Sequence, residues 1–337
     1  MLTFFIRTQQ SVEFLMSGEF NLIEKYFVGR QQQRKDVLLA AGDDCALVQV
    51  PQGLSVAIST DTLVAGTHFL PSANPAWVAH KALASNISDL AAMGATPAWV
   101  SFALTMPEPD EAWLAPFCDA FFQLADYFGI QLIGGDTTKG PLSLTLTVQG
   151  LVAPEKALRR DGASVGDWIY VTGDLGDSKA GLDVILNREL ERKPFANELE
   201  QRHYLSTPRV LVGQALLGLA SAAIDISDGL ISDLPHILQR SQVGASIDVS
   251  KLPVSNELVQ FVGNPEVALQ YALTSGEEYE LCFTVPEQNQ GAIESALAHC
   301  GAKITCIGQI RPQGTFDLHL HGEALNWSLS GYDHFKQ

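Results

Sequence analysis

The chain has 337 residues, 46% of them apolar and 18% charged, with a formal net charge of −17. That length supports two domains, each able to bury its own core. The acidic balance excludes nonspecific binding to nucleic acid or to an anionic membrane surface; it leaves room for a phosphate substrate, because carboxylates recruit divalent cations that then meet phosphates. The five cysteines (Cys45, Cys118, Cys282, Cys300, Cys306) show neither CxxC spacing nor zinc-type pairing with histidine, which points to free thiols in a cytoplasmic protein. No uncharged apolar run is long enough for a transmembrane helix, and the N-terminal apolar patch is too interrupted for a signal peptide. Residues 1–17 read as an extension, since Met16-Ser17-Gly18-Glu19 would itself serve as a start.

In chain order, residues 20–27 form a short amphipathic helix, and Gly42-Asp43-Asp44-Cys45-Ala46 is an acidic turn between apolar runs. Val56-Ala57-Ile58 reads as a buried strand that breaks into Ser59-Thr60-Asp61-Thr62, followed by Gly66 and His68. Oxygen donors at the C-terminal end of a strand stand where open α/β sheets bind ligands, and they suit Mg²⁺. The same residues also serve as ordinary turn and cap chemistry. Residues 77–93 form a helix closed by Gly94, with Lys81, Ser85 and Asp89 on one face. Burying Asp89 on so apolar a helix requires either a cation or a salt bridge to Lys81.

A strand at 99–106, a helix at Glu111–Phe128 and a strand at 130–133 follow, the last ending in Gly134-Gly135-Asp136-Thr137-Thr138. This repeats the earlier order of apolar strand, acid and hydroxyls. After a strand at 142–152, residues 154–166 form a linker carrying Arg159-Arg160, so the expected domains are 18–153 and 154–337. The second half opens with a strand at 167–171 and a glycine-rich turn into a helix, which fits neither a Walker A loop nor a GxGxxG fingerprint. A helix at 210–223 leads to Asp225-Ile226-Ser227-Asp228-Gly229, then a helix at 231–239, a strand at 245–249 and a helix at 267–273. Ser275-Gly276-Glu277-Glu278-Tyr279-Glu280 is an acidic turn running into a strand; 304–310 and 316–320 are closing strands.

Asp44, Asp61, Asp89, Asp136, Asp225 and Asp228 thus fall at strand ends or on one helix. Brought together without metal they would repel by kcal/mol per close pair, so a shared site implies several Mg²⁺ ions and phosphoryl transfer from a nucleotide. No Ser/His/Asp or Cys/His nucleophile stands out. His68 has two readings, a phosphate contact or a hydrogen-bonded residue of the following strand.

Seven stretches, GDDCA (42–46), STDTLVAGTHF (59–69), NISDLAAMGA (86–95), GGDTT (134–138), IDISDGLISDL (224–234), SGEEYEL (275–281) and GYDHF (331–335), together resemble the thiamine-monophosphate kinase family. The resemblance runs from about Gly18 to the C-terminus. It implies an α/β protein of α+β type with the two-domain aminoimidazole-ribonucleotide-synthetase-like fold, its N-terminal domain pairing across a homodimer. It also implies phosphorylation of thiamine monophosphate to thiamine diphosphate by ATP, through direct in-line transfer with Mg²⁺; a monovalent cation requirement stays open. Asp44, Ser59, Thr60, Asp61, Asp89, Asp136, Asp225 and Asp228 match the family's metal ligands, with Asp61, Asp136 and Asp228 nearest the chemistry. Gly135, Asp136, Arg160 and Ser227 match nucleotide contacts, and His68, Glu277 and Tyr332 match the positions holding thiamine phosphate. Tyr332 stands where some relatives have tryptophan, and it keeps an aromatic face for stacking.

Other readings share the fold. A selenophosphate synthetase would carry a reactive Cys or Sec with a nearby Lys, and a hydrogenase-maturation relative would end in cysteine; this chain does neither. A purine cyclo-ligase, a non-catalytic metal and nucleotide sensor, and a metal-dependent phosphohydrolase remain as alternatives.

Overall fold

The computed structural model describes residues 19–325 and Trp327; the extension expected at 1–17 and Tyr332 lie outside the described residues. The described chain forms two compact units that are not divided by a single cut. The first takes residues 19–51, 60–83 and 97–149, and the second takes 52–59, 84–96 and everything from 150 onward.

In the first unit, helix α1 (Glu19–Tyr26) precedes a small antiparallel ribbon of β1 (Val37–Leu39) and β2 (Leu47–Val48). In chain order then follow β3 (Ser55–Val64), α2 (Pro75–Ala92), β4 (Thr96–Met106), α3 (Glu111–Phe128), β5 (Gln131–Lys139) and β6 (Ser143–Val152), of which residues 55–59, 84–92, 96 and 150–152 count with the second unit. The four longer strands form a sheet in the order β3-β6-β4-β5, with β4 and β5 parallel. Helix α3 matches the expected span because both ends are chemically marked. Asp110 accepts the Trp113 N–H at 3.1 Å, and Gly129 takes the left-handed conformation (φ 63°) that closes the last turn. The helix buries Phe117 and Phe121 against Phe102 of β4, with ring centroids 5.7 Å apart in both pairs. On β6, Leu144, Leu146 and Val148 are buried while Thr145 and Thr147 face the other way, the period-2 pattern of a half-covered sheet.

The structure corrects the reading that the hydroxyl and acid runs lie beyond strand ends. Ser59-Thr60-Asp61-Thr62 sits within β3, and Gly134–Thr138 sits within β5. Threonine is β-branched and continues a strand readily, so a run of hydroxyls did not stop it.

The second unit contains β7 (Trp168–Thr172), α4 (Asp177–Leu186), a 3₁₀ turn at Arg188–Arg192, α5 (Ala196–Tyr204), α6 (Val210–Ala215) and β8 (Ala222–Asp225). Next come α7 (Leu230–Ser241), β9 (Gly244–Asp248), α8 (Asn256–Val262), α9 (Pro265–Thr274), β10 (Leu281–Val285), α10 (Gln290–Leu297), β11 (Ile304–Arg311), β12 (Phe316–Leu320) and β13 (Glu323–Ala324). Its seven-stranded sheet runs β13-β12-β9-β11-β7-β10-β8, antiparallel except where β12 joins β9. Ile169, Val171, Ile224, Ile247 and Ile307 from this sheet share a core with Leu234 and Ile237 of α7. The helix expected at 210–223 is cut short at Ala215, and Gly218 (φ 77°) turns the chain before β8. Its continuous apolar run does not distinguish helix from buried strand. Among the described residues, no helix is long and apolar enough to cross a membrane.

Candidate active site

Ser59, Ser88, Asp89, Arg160 and Asp225 all belong to the second unit. Ser59 Oγ donates to Asp89 Oδ2 at 2.5 Å, and Ser88 Oγ donates to Asp225 Oδ2 at 2.7 Å. These contacts define a cavity of about 200 Å³ lined by Ser59, Asp89, Met93, Arg160 and Asp225, among others. Burial pushes the Asp89 carboxyl up, while the Ser59 hydrogen bond and the charge of Arg160 oppose the rise. Asp225, only 4% exposed on the edge strand β8, is pushed up by burial and further by the charge of Asp89. Two carboxylates held together at such a cost, beside a hydroxyl and with no thiolate or imidazole, form a hard-oxygen donor set suited to Mg²⁺. Asp89 is thus met by Ser59 and by the charge of Arg160, whereas the Lys81 ammonium, in the first unit, donates to the His68 carbonyl at 3.0 Å.

The loop after β8 is shaped by one buried side chain. Asp233, in the first turn of α7 and 2% exposed, accepts the backbone N–H groups of Ser227 and Asp228, each at 3.0 Å. Its carboxyl is pushed up to about 7, burial being the largest cause. The 275–280 loop docks on the same segment, with Glu277 N donating to Ser227 O at 2.7 Å and Tyr279 N to Ile226 O at 2.9 Å. Glu277 and Tyr279 hold left-handed backbone (φ 57° and 54°), a conformation that costs non-glycine residues free energy and is retained where surrounding contacts enforce it. The Glu277 carboxylate lies 3.3 Å from His203 Nε2. Glu278 turns the other way and accepts the N–H groups of Gly176 and Ser178 at the start of α4, at 2.8 and 3.2 Å.

Asp44, Thr60, Asp61, His68, Gly135 and Asp136 fall in the first unit. Asp44 and Asp136 are exposed, and Asp61 is half-buried on β3. Strand alternation sends Thr60 to the face opposite Asp61, where its hydroxyl pairs with Thr147 at 2.9 Å, as Thr62 does with Thr145. Gly135 pairs with Phe102 across β4 and β5, and a Cβ there would lie 1.9 Å from the Phe102 carbonyl oxygen, so packing alone demands glycine. His68 Nδ1 accepts the Val64 N–H at 3.0 Å, which puts the proton of the neutral ring on Nε2. Among the described residues, no three His, Cys, Asp or Glu side chains are grouped closely enough to hold a metal by themselves.

Two residues of this region, His203 and Arg209, were not anticipated from the sequence. His203 lies on α5, whose ANELEQRHY is polar overall; the signal was the buried spacing Ala196, Leu199, His203. Arg209, just before α6, has Nε 2.6 Å from Glu280 Oε2 and forms a second bond to Oε1.

The family model described as AIR synthase related protein, N-terminal domain, matches residues 42–152, and the corresponding C-terminal domain matches residues 164–321. Fold and site therefore define a two-domain protein of the AIR synthase related class. The thiamine-monophosphate kinase of Escherichia coli K12 is 54% identical over 324 residues, covering 94% of this chain and 98% of that protein. The crystal structure of thiamine-monophosphate kinase from Stenotrophomonas maltophilia K279a superposes with a TM-score of 0.82 at 42% identity, covering 91% of this chain and 98% of that one. A structure of AaThiL complexed with AMPPCP and TMP superposes with a TM-score of 0.75 at 31% identity, over 99% of this chain and 100% of that one. The chain belongs to the thiamine-monophosphate kinase family.

Proposed function

We propose that the chain transfers the γ-phosphoryl group of ATP to thiamine monophosphate, giving ADP and thiamine diphosphate by direct in-line displacement. The observation that carries this reading is the match, over nearly the whole chain, to a relative whose structure was determined with AMPPCP and TMP. The chemistry of the site agrees. Phosphoryl transfer needs little covalent help from a protein; it needs positioning and neutralisation of charge.

Asp89, Asp225 and Ser59 would hold Mg²⁺, joined by Asp44, Thr60, Asp61, Asp136 and Asp228. The raised carboxyls of Asp89 and Asp225 support this fit, because a cation offsets the repulsion that burial imposes. Bound there, Mg²⁺ neutralises phosphate charge and orients the phosphate oxygens. The Arg160 guanidinium, within the same cavity, adds a positive charge toward the nucleotide. Asp233 fixes the direction of the Ser227–Asp228 backbone, so that Ser227 meets nucleotide and Asp228 metal. Gly135 and Asp136 complete the nucleotide contacts. On the acceptor side, His68 contacts the phosphate, Tyr332 stacks on the thiamine ring, and the Glu277 carboxylate pairs with the positive charge or amino group that thiamine carries. The protein acts in the cytoplasm, supported by five free cysteines. It acts as a homodimer, supported by the uncovered side of β3, where Ile58 is 67% exposed beside Thr60 and Thr62.

The test is to measure ADP and thiamine diphosphate with Mg²⁺-ATP, with and without thiamine monophosphate. Stoichiometric formation of both products, dependent on the acceptor, is expected. ATP turnover indifferent to thiamine monophosphate would move the acceptor to another substrate.

A further inference from the structure

Two consecutive glutamates are tied to the first turn of one helix by different means. Glu278 is held by the backbone N–H groups of Gly176 and Ser178. Glu277 is held by the imidazole of His203, which in turn rests on Ser178: Nδ1 lies 3.0 Å from Ser178 Oγ and 3.1 Å from its carbonyl oxygen, and Nε2 lies 3.3 Å from Glu277 Oε2. His203 is 2% exposed, whereas the Glu277 side chain retains 26% of its surface. A buried ring nitrogen needs a partner; a carboxylate at the surface can be satisfied by water. The contact therefore fixes Glu277 more than it serves the solvation of Glu277. Gly181 makes the approach possible, because a Cβ at that position would lie 2.2 Å from the Leu199 carbonyl oxygen and 2.9 Å from His203 Cβ. The edge-on ring of Tyr204, with centroids 5.2 Å apart, holds the imidazole from another side.

We propose that His203 is a positioning residue that orients the Glu277 carboxylate toward the thiamine-phosphate acceptor. The inference rests on the reading of Glu277 as an acceptor contact. Nε2–H donates to Glu277, while Nδ1 either accepts from the Ser178 hydroxyl or, when protonated, donates to the Ser178 carbonyl oxygen. The left-handed backbone of Glu277 aims the carboxylate, and the imidazole keeps it from turning into solvent. A carboxylate ordered before the substrate arrives lowers the ordering cost of binding that substrate alone.

Steady-state kinetics of the full chain tests this with two conservative variants. In His203→Gln the side-chain amide reaches the place of Nε2 and can still donate to Glu277. In His203→Asn it reaches only the place of Nδ1, toward Ser178. His203→Asn is expected to raise the KM for thiamine monophosphate by about tenfold, with kcat and the KM for ATP within about twofold of the parent. His203→Gln is expected to stay near the parent. Glu277→Gln should raise the same KM, and the double variant His203→Asn/Glu277→Gln should be no worse than Glu277→Gln alone. Equal behaviour of the Asn and Gln variants, or loss of kcat and both KM values together, would assign His203 a structural role only and overturn the proposal. If Glu277→Gln leaves the KM for thiamine monophosphate unchanged, the assignment of Glu277 as an acceptor contact fails first, and the positioning role falls with it.

Discussion

The guanidinium of Arg209 closes on the carboxylate of Glu280 with two bonds, Nε lying 2.6 Å from Oε2. Glu280 is 7% exposed and also receives the Thr172 hydroxyl, whose oxygen in turn accepts the Leu281 N–H at 2.8 Å. Thr172 thus ties the end of the 275–280 loop to β7, and Arg209 ties it to the segment before α6. Removing the cation leaves a buried carboxylate with only a neutral donor. Arg209→Met is expected to destabilise the fold by about 3–5 kcal/mol, the usual cost of breaking a buried ion pair from one side. Thermal or urea denaturation checks this, and a melting temperature equal to the parent's would refute it.

Asp61 lies within β3, a strand that continues on both sides of it, so the backbone does not depend on its charge. Asp61→Asn keeps size and shape. It is expected to fold with the parent's circular dichroism and to lose nearly all turnover at saturating Mg²⁺-ATP. An active Asp61→Asn enzyme would remove Asp61 from the metal site.

Glu278 supplies a pH signature. Burial, opposed by the hydrogen bonds from Ser275, Gly176 and Ser178, pushes its carboxyl from 4.5 up to about 8. The folded state therefore binds more protons at this group than the unfolded state between about 4.5 and about 8. Its contribution to stability is greatest below that window, falls as pH rises through it, and is constant above it. Glu278→Gln is expected to flatten the fall of melting temperature across the window. An unchanged slope would show that the group titrates at its ordinary value.

Gly135 separates packing from ligand binding. A methyl group there meets the Phe102 carbonyl of the neighbouring strand, so Gly135→Ala must part β4 from β5. The expected result is a stability loss of about 2 kcal/mol or more, visible in thermal melts without any nucleotide. If Gly135→Ala melts like the parent and loses only ATP affinity, the glycine serves the nucleotide alone.

The sequence carried much of the fold where local chemistry is strong. The helix at Glu111–Phe128 is legible because an aspartate cap, an apolar stripe and a closing glycine all agree. Family membership is legible because seven acidic and glycine-rich stretches occur in one order. Where local signals conflict, reading along the chain failed. Ser-Thr-Asp-Thr has the residues of a turn and the branching of a strand, and pairing with β6 settled it as strand. The apolar run after Val210 suits helix and buried strand alike; Gly218 and the place of β8 beside β10 divided it.

Residue type and order alone were enough to mark Asp89 and Asp225 as candidates, and the family resemblance added Glu277. They could not show that Ser59 and Ser88 cover the two aspartates, that Thr60 faces away from Asp61, or that a histidine on a polar helix holds Glu277. The two serine–aspartate bonds join positions 30 and 137 residues apart. Composition reports which groups a chain can offer; which side of a strand or helix each one faces, and what meets it there, is set by close packing of distant segments, as at Gly181 and Gly135.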